Sequence, residues 1–333
     1  MDSFAPEQCH GPLLGAARRE LARREGQDFA SWRKAAEAKL RELVGWMPER
    51  VPLAVRVEGE QDHPEFRERR LIFSAEANAQ VPCHLLLPHG KGPFPVIICL
   101  QGHSTGMHIS LGRPRYEGDE KSIAGGRDFA LQAVRRGYAA LALEQRGFGE
   151  RKDGRAPDKR CSHASMTALL LGRTMIGERV WDFSRAIDGL EGIPEVDAGR
   201  VGCMGNSGGG TIAYYAACLE PRITAAMPSC AVCTYADSIG SIDHCQDNYL
   251  PGVLQWLDMG DLGGLVAPRP LVVVAGREDG IFPLAGVQEA FRAISRGYAA
   301  AGAADRCRLV IGEAGHQFYP EQGWPVFAEL TGW

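Results

Sequence analysis

The chain has 333 residues, of which 45% are hydrophobic and 23% are charged, and its formal net charge is −4. This composition is ordinary for a globular protein, and the length allows one large α/β domain with additional segments. The charge is spread along the chain and forms no basic face, which argues against a nucleic-acid partner, and no apolar run reaches the length of a membrane span.

The N-terminal segment is predicted to be helical. Residues 12–47 are rich in Ala, Arg, Glu and Leu, and their apolar side chains recur at helical spacing. We predict two amphipathic helices that separate near Gly26, with Asp28 as the N-terminal cap of the second. Residues 1–50 are therefore expected to form a helical extension that packs on the main domain. The first ten residues lack the basic and apolar regions of a signal peptide.

The remainder, residues 51–333, is predicted to form one α/β domain. Residues 51–87 alternate polar and apolar side chains, which predicts antiparallel strands at the start of a mixed sheet. From Pro95 onward, predicted strands alternate with helices, which is typical of a mostly parallel, doubly wound sheet. The predicted strands of this part are 95–100, 138–143, 201–204, 223–227, 271–275 and 308–311, and the predicted helices lie near 126–136, 166–192, 209–219 and 284–302.

One short motif carries most of the functional information. Gly205-Asn206-Ser207-Gly208-Gly209 follows a predicted strand and leads into a predicted helix. A G-x-S-x-G sequence in this context is typical of a nucleophile elbow, a sharp turn that exposes the serine hydroxyl above the sheet. Glycine at 205 and 209 removes a collision between Cβ atoms across the turn. The helix N-terminus that follows favours negative charge beside Ser207. An ordinary strand-to-helix turn is the alternative.

Two later loops supply the partners that an elbow serine needs. One follows a predicted strand and contains Glu278 and Asp279, and the other follows the last predicted strand and contains His316. The order serine, acid, histidine predicts Ser207 as the nucleophile and His316 as the base. Asp279 is the predicted acid, with Glu278 as its rival. Parallel strands end at one edge of a sheet, so these side chains should converge there. Alternatively, all of them are ordinary solvated loop residues.

A third loop is predicted to stabilise negative charge on oxygen. The strand 95–100 ends in Gln101-Gly102-His103, and Gly102 lets the backbone approach a bound carbonyl group closely. The backbone N–H groups of His103 and Gly208 are therefore the expected oxyanion donors. The imidazole of His103 is expected to line the pocket without a role in proton transfer.

Two long insertions, 104–125 and 232–262, are expected to shape the substrate pocket, since long ordered loops are often functional. The candidate pocket residues are Gly102, Arg146, His244, Tyr249 and Trp256. The aromatic side chains have a second interpretation, as local core beneath the loop. Arg146 has one too, as a structural ion pair with Glu150 or Asp182.

The ten cysteines indicate a reducing compartment, so we predict a cytoplasmic protein with few or no disulfides. Several lie in predicted core strands, where free cysteine behaves as a small apolar residue. Cys230 and Cys233 form a lone C-x-x-C pair, whereas a structural zinc site would need further ligands at a suitable spacing. No metal and no organic cofactor are predicted. The sequence neither requires nor excludes a homo-oligomer.

Five short motifs together suggest a family. They are Gln101-Gly102-His103, residues 144–151, residues 205–210, residues 267–270 and Gly315-His316. In these motifs the chain, from about residue 65 to its C-terminus, resembles the α/β-hydrolase superfamily, and within it the acetyl xylan esterase and dienelactone-hydrolase-like branch. The resemblance implies the α/β-hydrolase fold and a hydrolase whose catalytic triad is Ser207, Asp279 and His316.

We therefore expect a serine esterase that cleaves small acyl, acetyl-like esters of a sugar or another polar alcohol through an acyl-enzyme. Its expected partner is a small-molecule ester. The elbow departs from both relatives, because acetyl xylan esterases favour Gln where this chain has Gly208, and dienelactone hydrolases use Cys where it has Ser207. The alternatives are amide, peptide or carbon–carbon bond hydrolysis by the same triad, and a non-catalytic binding protein of the same fold.

Overall fold

The structure is a computed structural model that describes residues 4–155 and 161–333. Its strands are β1 (Arg56–Asp62), β2 (Phe66–Glu76), β3 (Ala79–Pro88), β4 (Phe94–Leu100), β5 (Ala139–Leu143), β6 (Val196–Asn206), β7 (Ile223–Ser229), β8 (Leu271–Gly276) and β9 (Cys307–Gly312). Within the described residues they form one nine-stranded sheet in the order β1-β2-β3-β5-β4-β6-β7-β8-β9. The pairs from β1 to β5 are antiparallel, and those from β5 to β9 are parallel. The predicted mixed sheet with antiparallel first strands is confirmed.

Helices cover both faces of the sheet. They are α1 (Glu7–Gly15), α2 (Phe29–Leu43), α3 (Asp119–Ser122), α4 (Phe129–Arg135), α5 (Ser162–Leu170), α6 (Met175–Leu190), α7 (Gly208–Leu219), α8 (Met259–Val266), α9 (Leu284–Ala300) and α10 (Pro320–Thr331). Helices α2, α6, α7, α8 and α9 contribute to the core on one face, and α4 and α10 to the core on the other. The side chains of β4 alternate between the two cores, as the pleat of a strand dictates: Val96 and Ile98 face one, Ile97 and Cys99 the other.

The structure corrects several predicted helices. The segment 166–192 is two helices, α5 and α6, which separate at Gly172, where φ is +70°. Thr174 caps α6, because its hydroxyl oxygen accepts the N–H of Gly177 at 3.0 Å. Neither α8 nor α10 was predicted. All eight residues of α8 are buried, so the helix has no polar face that would give it an amphipathic pattern.

The two predicted N-terminal helices are present with different bounds. Helix α1 begins at Glu7, before the predicted segment, and ends at Gly15, so residues 16–28 are not helical. Asp28 caps α2 as predicted, since its carboxylate accepts the N–H of Ser31 at 2.8 Å.

Helix α2 contributes Trp32, Ala36 and Leu40 to the main core, and Trp32 is the largest of them. Trp32 is only 1% exposed, and its indole N–H donates to the carbonyl oxygen of Leu21 at 2.7 Å. The ring lies against Gly264 of α8 so closely that a Cβ atom there would be 2.6 Å from the indole. The assignment of residues 1–50 as a packed extension stays a prediction, which this contact makes testable.

Trp32→Ala should destabilise the whole protein by about 3 to 5 kcal/mol, the usual cost of emptying a buried aromatic site. Urea unfolding followed by circular dichroism would measure it. Trp46→Ala is the matched control, because Trp46 is 61% exposed and its main contact is the Arg173 guanidinium 5.1 Å from its ring. If both substitutions cost the same, α2 does not belong to the cooperative core.

Candidate active site

The predicted nucleophile lies on a strained turn. Ser207 joins β6 to α7 with φ 58° and ψ −130°, a backbone conformation that residues with a side chain rarely adopt. A Cβ atom on Gly205 would lie 2.5 Å from the backbone carbon of Gly209, and one on Gly209 would collide with the carbonyl oxygen of Leu100. Glycine at both positions is therefore what allows the turn to close.

Asp279 and His316 form a hydrogen-bonded pair beyond the ends of β8 and β9. His316 Nδ1 lies 2.8 Å from Asp279 Oδ2. The other carboxylate oxygen accepts the backbone N–H groups of Ile281 at 2.9 Å and Phe282 at 3.1 Å. Burial alone would raise the pKa of Asp279, but the hydrogen bonds and the His316 charge outweigh it and lower the pKa. The Phe282 ring stacks on His316 with centroids 5.9 Å apart, which fixes the imidazole plane.

The rival acid occupies a different environment. Glu278 is exposed, and its side chain makes no hydrogen bond or ion pair with the residues that the structure describes. Its backbone N–H donates to the carbonyl oxygen of Ala314 at 3.0 Å. The geometry therefore favours Asp279 over Glu278 as the partner of His316.

The serine and the acid–base pair lie at the same edge of the sheet. The Ser207 N–H donates to the carbonyl oxygen of Ser229 at 2.9 Å. The next residue, Cys230, has its sulfur within 4.8 Å of the Asp279 carboxylate and of a His316 ring nitrogen. Within residues 4–155 and 161–333, neither Ser207 Oγ nor His316 Nε2 makes a hydrogen bond, which leaves both atoms available for a reacting group.

The predicted oxyanion loop lies directly against the elbow. A Cβ atom on Gly102 would lie 2.5 Å from the carbonyl oxygen of Asn206 and 2.9 Å from Ser207 Cβ. The loop is held by the Gln145 side-chain amide, which donates to the carbonyl oxygen of Gln101. In the described part of the chain, the backbone N–H groups of His103 and Gly208 have no hydrogen-bond partner. Both donors remain free to bind an oxygen atom.

A buried ion pair positions the side chain of His103. Its Nε2 lies 3.0 Å from Asp247 Oδ1, and Arg179 Nη1 donates to Asp247 Oδ2 at 2.6 Å. Burial raises the pKa of Asp247, but the Arg179 and His103 charges lower it to about 2, so the carboxyl is ionised. This pair was not predicted from the sequence. Arg179 lies on the same face of α6 as Ile176 and Phe183, and a charge at a core position was the available signal.

The predicted pocket residues separate into two groups. His244 lies between the rings of His103 and Phe282, at centroid distances of 6.2 and 6.1 Å, and burial lowers its pKa. Tyr249 instead lines a separate cavity of about 290 Å³. Trp256 contacts α2 and stacks under the Lys39 ammonium at 4.1 Å. Trp256 therefore packs against the core beneath the insertion, whereas Tyr249 is 41% exposed and its hydroxyl donates to the carbonyl oxygen of Ile239 at 3.0 Å.

Arg146 forms ion pairs rather than a pocket wall. Its guanidinium lies 2.8 Å from Asp182, 2.7 Å from Glu76 and 3.3 Å from Glu178. Glu150, the other partner considered, pairs with Arg70 at 2.6 Å. The structural ion pair with Asp182 is therefore the interpretation of Arg146 that the structure matches.

A cavity of about 720 Å³ adjoins His103. Much of its wall comes from the insertion 104–125, including His108, whose imidazole lies 2.9 Å from the carboxylate of Asp119. Glu144 also lines it and is 2% exposed. Burial raises the pKa of Glu144 to about 7, although the backbone N–H groups of Met107 and Glu150 donate to it.

The cysteines near the site differ in oxidation state. Cys230 and Cys233, the C-x-x-C pair, are free and buried, and burial raises the pKa of each to about 12. Cys161 and Cys245 form a disulfide beside His103, the one disulfide among the residues described. The expectation of few or no disulfides did not identify this pair.

The sheet order, with the site beyond the carboxyl ends of its strands, defines the α/β-hydrolase fold. A Bacteroides fragilis NCTC 9343 protein described as a "putative acetyl xylan esterase" shares it with a TM-score of 0.77 and 15% identity, over 99% of this chain and 90% of that one. A glucuronoyl esterase from Solibacter usitatus shares it with a TM-score of 0.72 and 17% identity, over 94% and 97%. No helix of the described chain is long and apolar enough to cross a membrane.

The family model of acetyl xylan esterase (AXE1) matches residues 39–251, more than half of the chain. "Putative hydrolase YtaP" of Bacillus subtilis (strain 168) is 26% identical over 284 residues, which are 82% of this chain and 90% of YtaP. The chain belongs to the acetyl xylan esterase family and is a carboxylic ester hydrolase, so the alternative of a non-catalytic protein is set aside. Asp279 and His316 lie beyond the matched segment, and their assignment depends on the geometry described above.

Glu144→Gln should stabilise the protein more at pH 8 than at pH 5. Between its ordinary pKa of 4.5 and its folded-state pKa of about 7, Glu144 holds a proton only in the folded protein, so wild-type stability falls as pH rises through this window. At about 1.4 kcal/mol per pK unit, the shift is worth roughly 3 kcal/mol. Urea unfolding at both pH values measures the difference between variant and wild type. Glu25→Gln, at an exposed position, is the control. A difference that does not change with pH would contradict the assignment.

Proposed function

We propose that this hydrolase is a serine esterase that works through an acyl-enzyme. Ser207 Oγ attacks the ester carbonyl carbon while His316 Nε2 accepts the hydroxyl proton, and His316 then protonates the departing alcohol. Water, activated by the same imidazole, releases the acid. The observation that carries the proposal is the 2.8 Å bond between His316 Nδ1 and the buried Asp279 carboxylate, which directs Nε2 away from the acid.

Asp279 acts in this scheme by holding one imidazole tautomer. Its lowered pKa keeps the carboxyl ionised, so it accepts the Nδ1 proton and stabilises the imidazolium that forms during attack. The two backbone N–H groups that bind its other oxygen fix its orientation. Glu278, exposed and without such contacts, has no means of positioning the base.

The oxyanion formed by attack is proposed to bind the N–H groups of His103 and Gly208. Support comes from the close approach of the Gly102 backbone to the elbow and from the lack of other partners for the two donors among the described residues. Donors fixed before the reaction stabilise developing charge without reorganisation, and each is typically worth about 10²- to 10³-fold in rate.

The substrate is proposed to be a small acyl ester of a sugar or another polar alcohol. The family assignment supports an acetyl-like acyl group, and the charged side chains in the wall of the cavity of about 720 Å³ beside His103, which include Arg115, Glu117 and Lys152, support a polar alcohol. This volume lies within the usual size range of ligand pockets. It is larger than an acetyl group requires. Comparing an acetylated sugar with the matching N-acetyl amide would separate ester from amide preference.

Ser207→Ala should abolish labelling by a fluorophosphonate probe and lower the hydrolysis of p-nitrophenyl acetate by at least about 10⁴-fold. The reason is that no other group would carry the acyl intermediate. Gel fluorescence and a colorimetric assay provide the two readouts. Ser241→Ala, at an exposed serine, should label like the wild type. Undiminished labelling of Ser207→Ala would refute the nucleophile assignment.

Asp279→Asn should lower kcat by about 10⁴-fold, because the amide favours the wrong imidazole tautomer. Glu278→Gln changes the neighbouring carboxylate in the same way and should leave kcat near the wild-type value. Steady-state kinetics on p-nitrophenyl acetate compares the variants, with circular dichroism to verify folding. An inactive Glu278→Gln beside an active Asp279→Asn would reverse the assignment of the acid.

A further inference from the structure

Four side chains with metal-binding atoms meet behind the proposed oxyanion loop. They are His103, Cys161, Cys245 and Asp247, and their ligand atoms all lie within 4.8 Å of one another. His103 Nε2 is 3.0 Å from Asp247 Oδ1 and 3.6 Å from Cys161 Sγ. None of these four side chains has a proton-transfer role in the proposed mechanism, which uses only the backbone of His103.

The set matches the ligands that zinc prefers. Zinc binds thiolate sulfur at about 2.3 Å and imidazole nitrogen or carboxylate oxygen at about 2.0 to 2.2 Å, with four ligands in a tetrahedron. Ligand atoms of such a tetrahedron are then about 3.3 to 3.8 Å apart. The distances from His103 Nε2 to the sulfur and to the carboxylate are close to these values before any rearrangement.

The backbone spacing of the two cysteines also suits an intervening ion. Their Cα atoms are 7.4 Å apart, whereas disulfides usually hold Cα atoms about 4.4 to 6.8 Å apart. We infer that, once the Cys161–Cys245 disulfide is reduced, the two thiolates join His103 Nε2 and an Asp247 oxygen to bind one zinc ion per chain.

The chemistry balances with a thiol or phosphine reductant. The reductant supplies two electrons to the Cys161–Cys245 bond. A dithiol transfers its two thiol protons to the cysteines and leaves as its own disulfide. A phosphine leaves as its oxide, with water supplying the oxygen atom and the two protons. Each thiol then gives up its proton to solvent as its sulfur binds the ion. His103 replaces its hydrogen bond to Asp247 with a bond from Nε2 to the metal, so it binds as the neutral imidazole.

The surroundings compensate the charge of such a centre. Two thiolates and the Asp247 carboxylate carry three negative charges, and zinc with the buried Arg179 guanidinium carries three positive ones. Arg179 lies 2.6 Å from Asp247 Oδ2, and both side chains are at most 1% exposed. Because buried charge is costly unless it is paired, this neutrality favours occupancy. Arg179 also orients the carboxylate, as outer-sphere groups do in metal sites.

The ion would have a structural role. Its four ligands leave no open position for substrate, which is typical of structural zinc. They come from three segments: the loop after β4, the residue before α5, and the insertion 232–262. The centre would therefore hold His103, and with it the oxyanion loop, at a fixed place beside α7. It does not depend on the esterase mechanism, and its test needs no substrate.

The 333-residue chain, reduced with a phosphine that is then removed, should bind one Co²⁺ ion. A tetrahedral site with two thiolates should give strong visible d–d bands and thiolate-to-cobalt charge transfer, and Zn²⁺ should displace both. The oxidised wild type, which carries no substitution, is the control for the reduced protein. It should show eight titratable thiols in denaturant against ten after reduction, and no cobalt bands.

Cys161→Ser and Cys245→Ser should each lose the charge-transfer band in the reduced protein. The paired substitution of Cys230 and Cys233 by Ser is the matched control and should keep it. Absence of cobalt binding by the reduced wild type would overturn the inference. So would bands that survive Cys161→Ser or appear equally in the oxidised chain. If a serine variant fails to fold, the oxidised and reduced wild type still decide the outcome.

Discussion

The close approach of β4, β6 and α7 at Ser207 is the constraint on which the site depends. The left-handed backbone of Ser207 is kept because the chain on either side is too close to its neighbours to relax. Side chains on Gly209 and Gly210 would meet the carbonyl oxygens of Leu100 and Ser229. This proximity brings the loop after β4 to the serine, so Ser207 and the backbone N–H groups of His103 and Gly208 are positioned by one packing arrangement.

Two buried carboxylates organise the edge of the sheet around that turn, and each binds a histidine. Asp279 is paired with His316 and with backbone N–H groups, and Asp247 with His103 and Arg179. A buried carboxylate is tolerated only when such partners outweigh the loss of hydration, and both have a lowered pKa for that reason. The first pair belongs to the proposed proton transfer, and the second holds the loop beside it.

Much of the fold could be predicted because its signals are local. The alternation of strands and helices gave the sheet, and the glycines around Ser207 gave the turn, since each pattern has a direct steric cause. The whole of α8 escaped prediction because a helix buried on all sides has no amphipathic period.

The proposed site also has one part that could be predicted from the sequence and another part that could not. Ser207, Asp279 and His316 each follow a strand, so the sequence could place them at one edge of the sheet. The pairing of Arg179 with Asp247 joins residues 68 positions apart in the chain, and no local pattern specifies it. For Tyr249 and Trp256 the sequence was ambiguous. Aromatic residues in an insertion look alike in sequence whether they line a pocket or pack beneath a loop.

The bond between Cys161 and Cys245 has a consequence for the unfolded chain. The two residues are 84 positions apart, and the segment between them contains β6, the elbow, α7 and β7. Closing a loop of that length removes conformational freedom from the unfolded state equivalent to about 4 to 5 kcal/mol in the chain-entropy model. A metal ion bound by the same two sulfurs would close the same loop. The reduced, metal-free chain would then be the only form whose unfolded ensemble is unrestricted around Ser207.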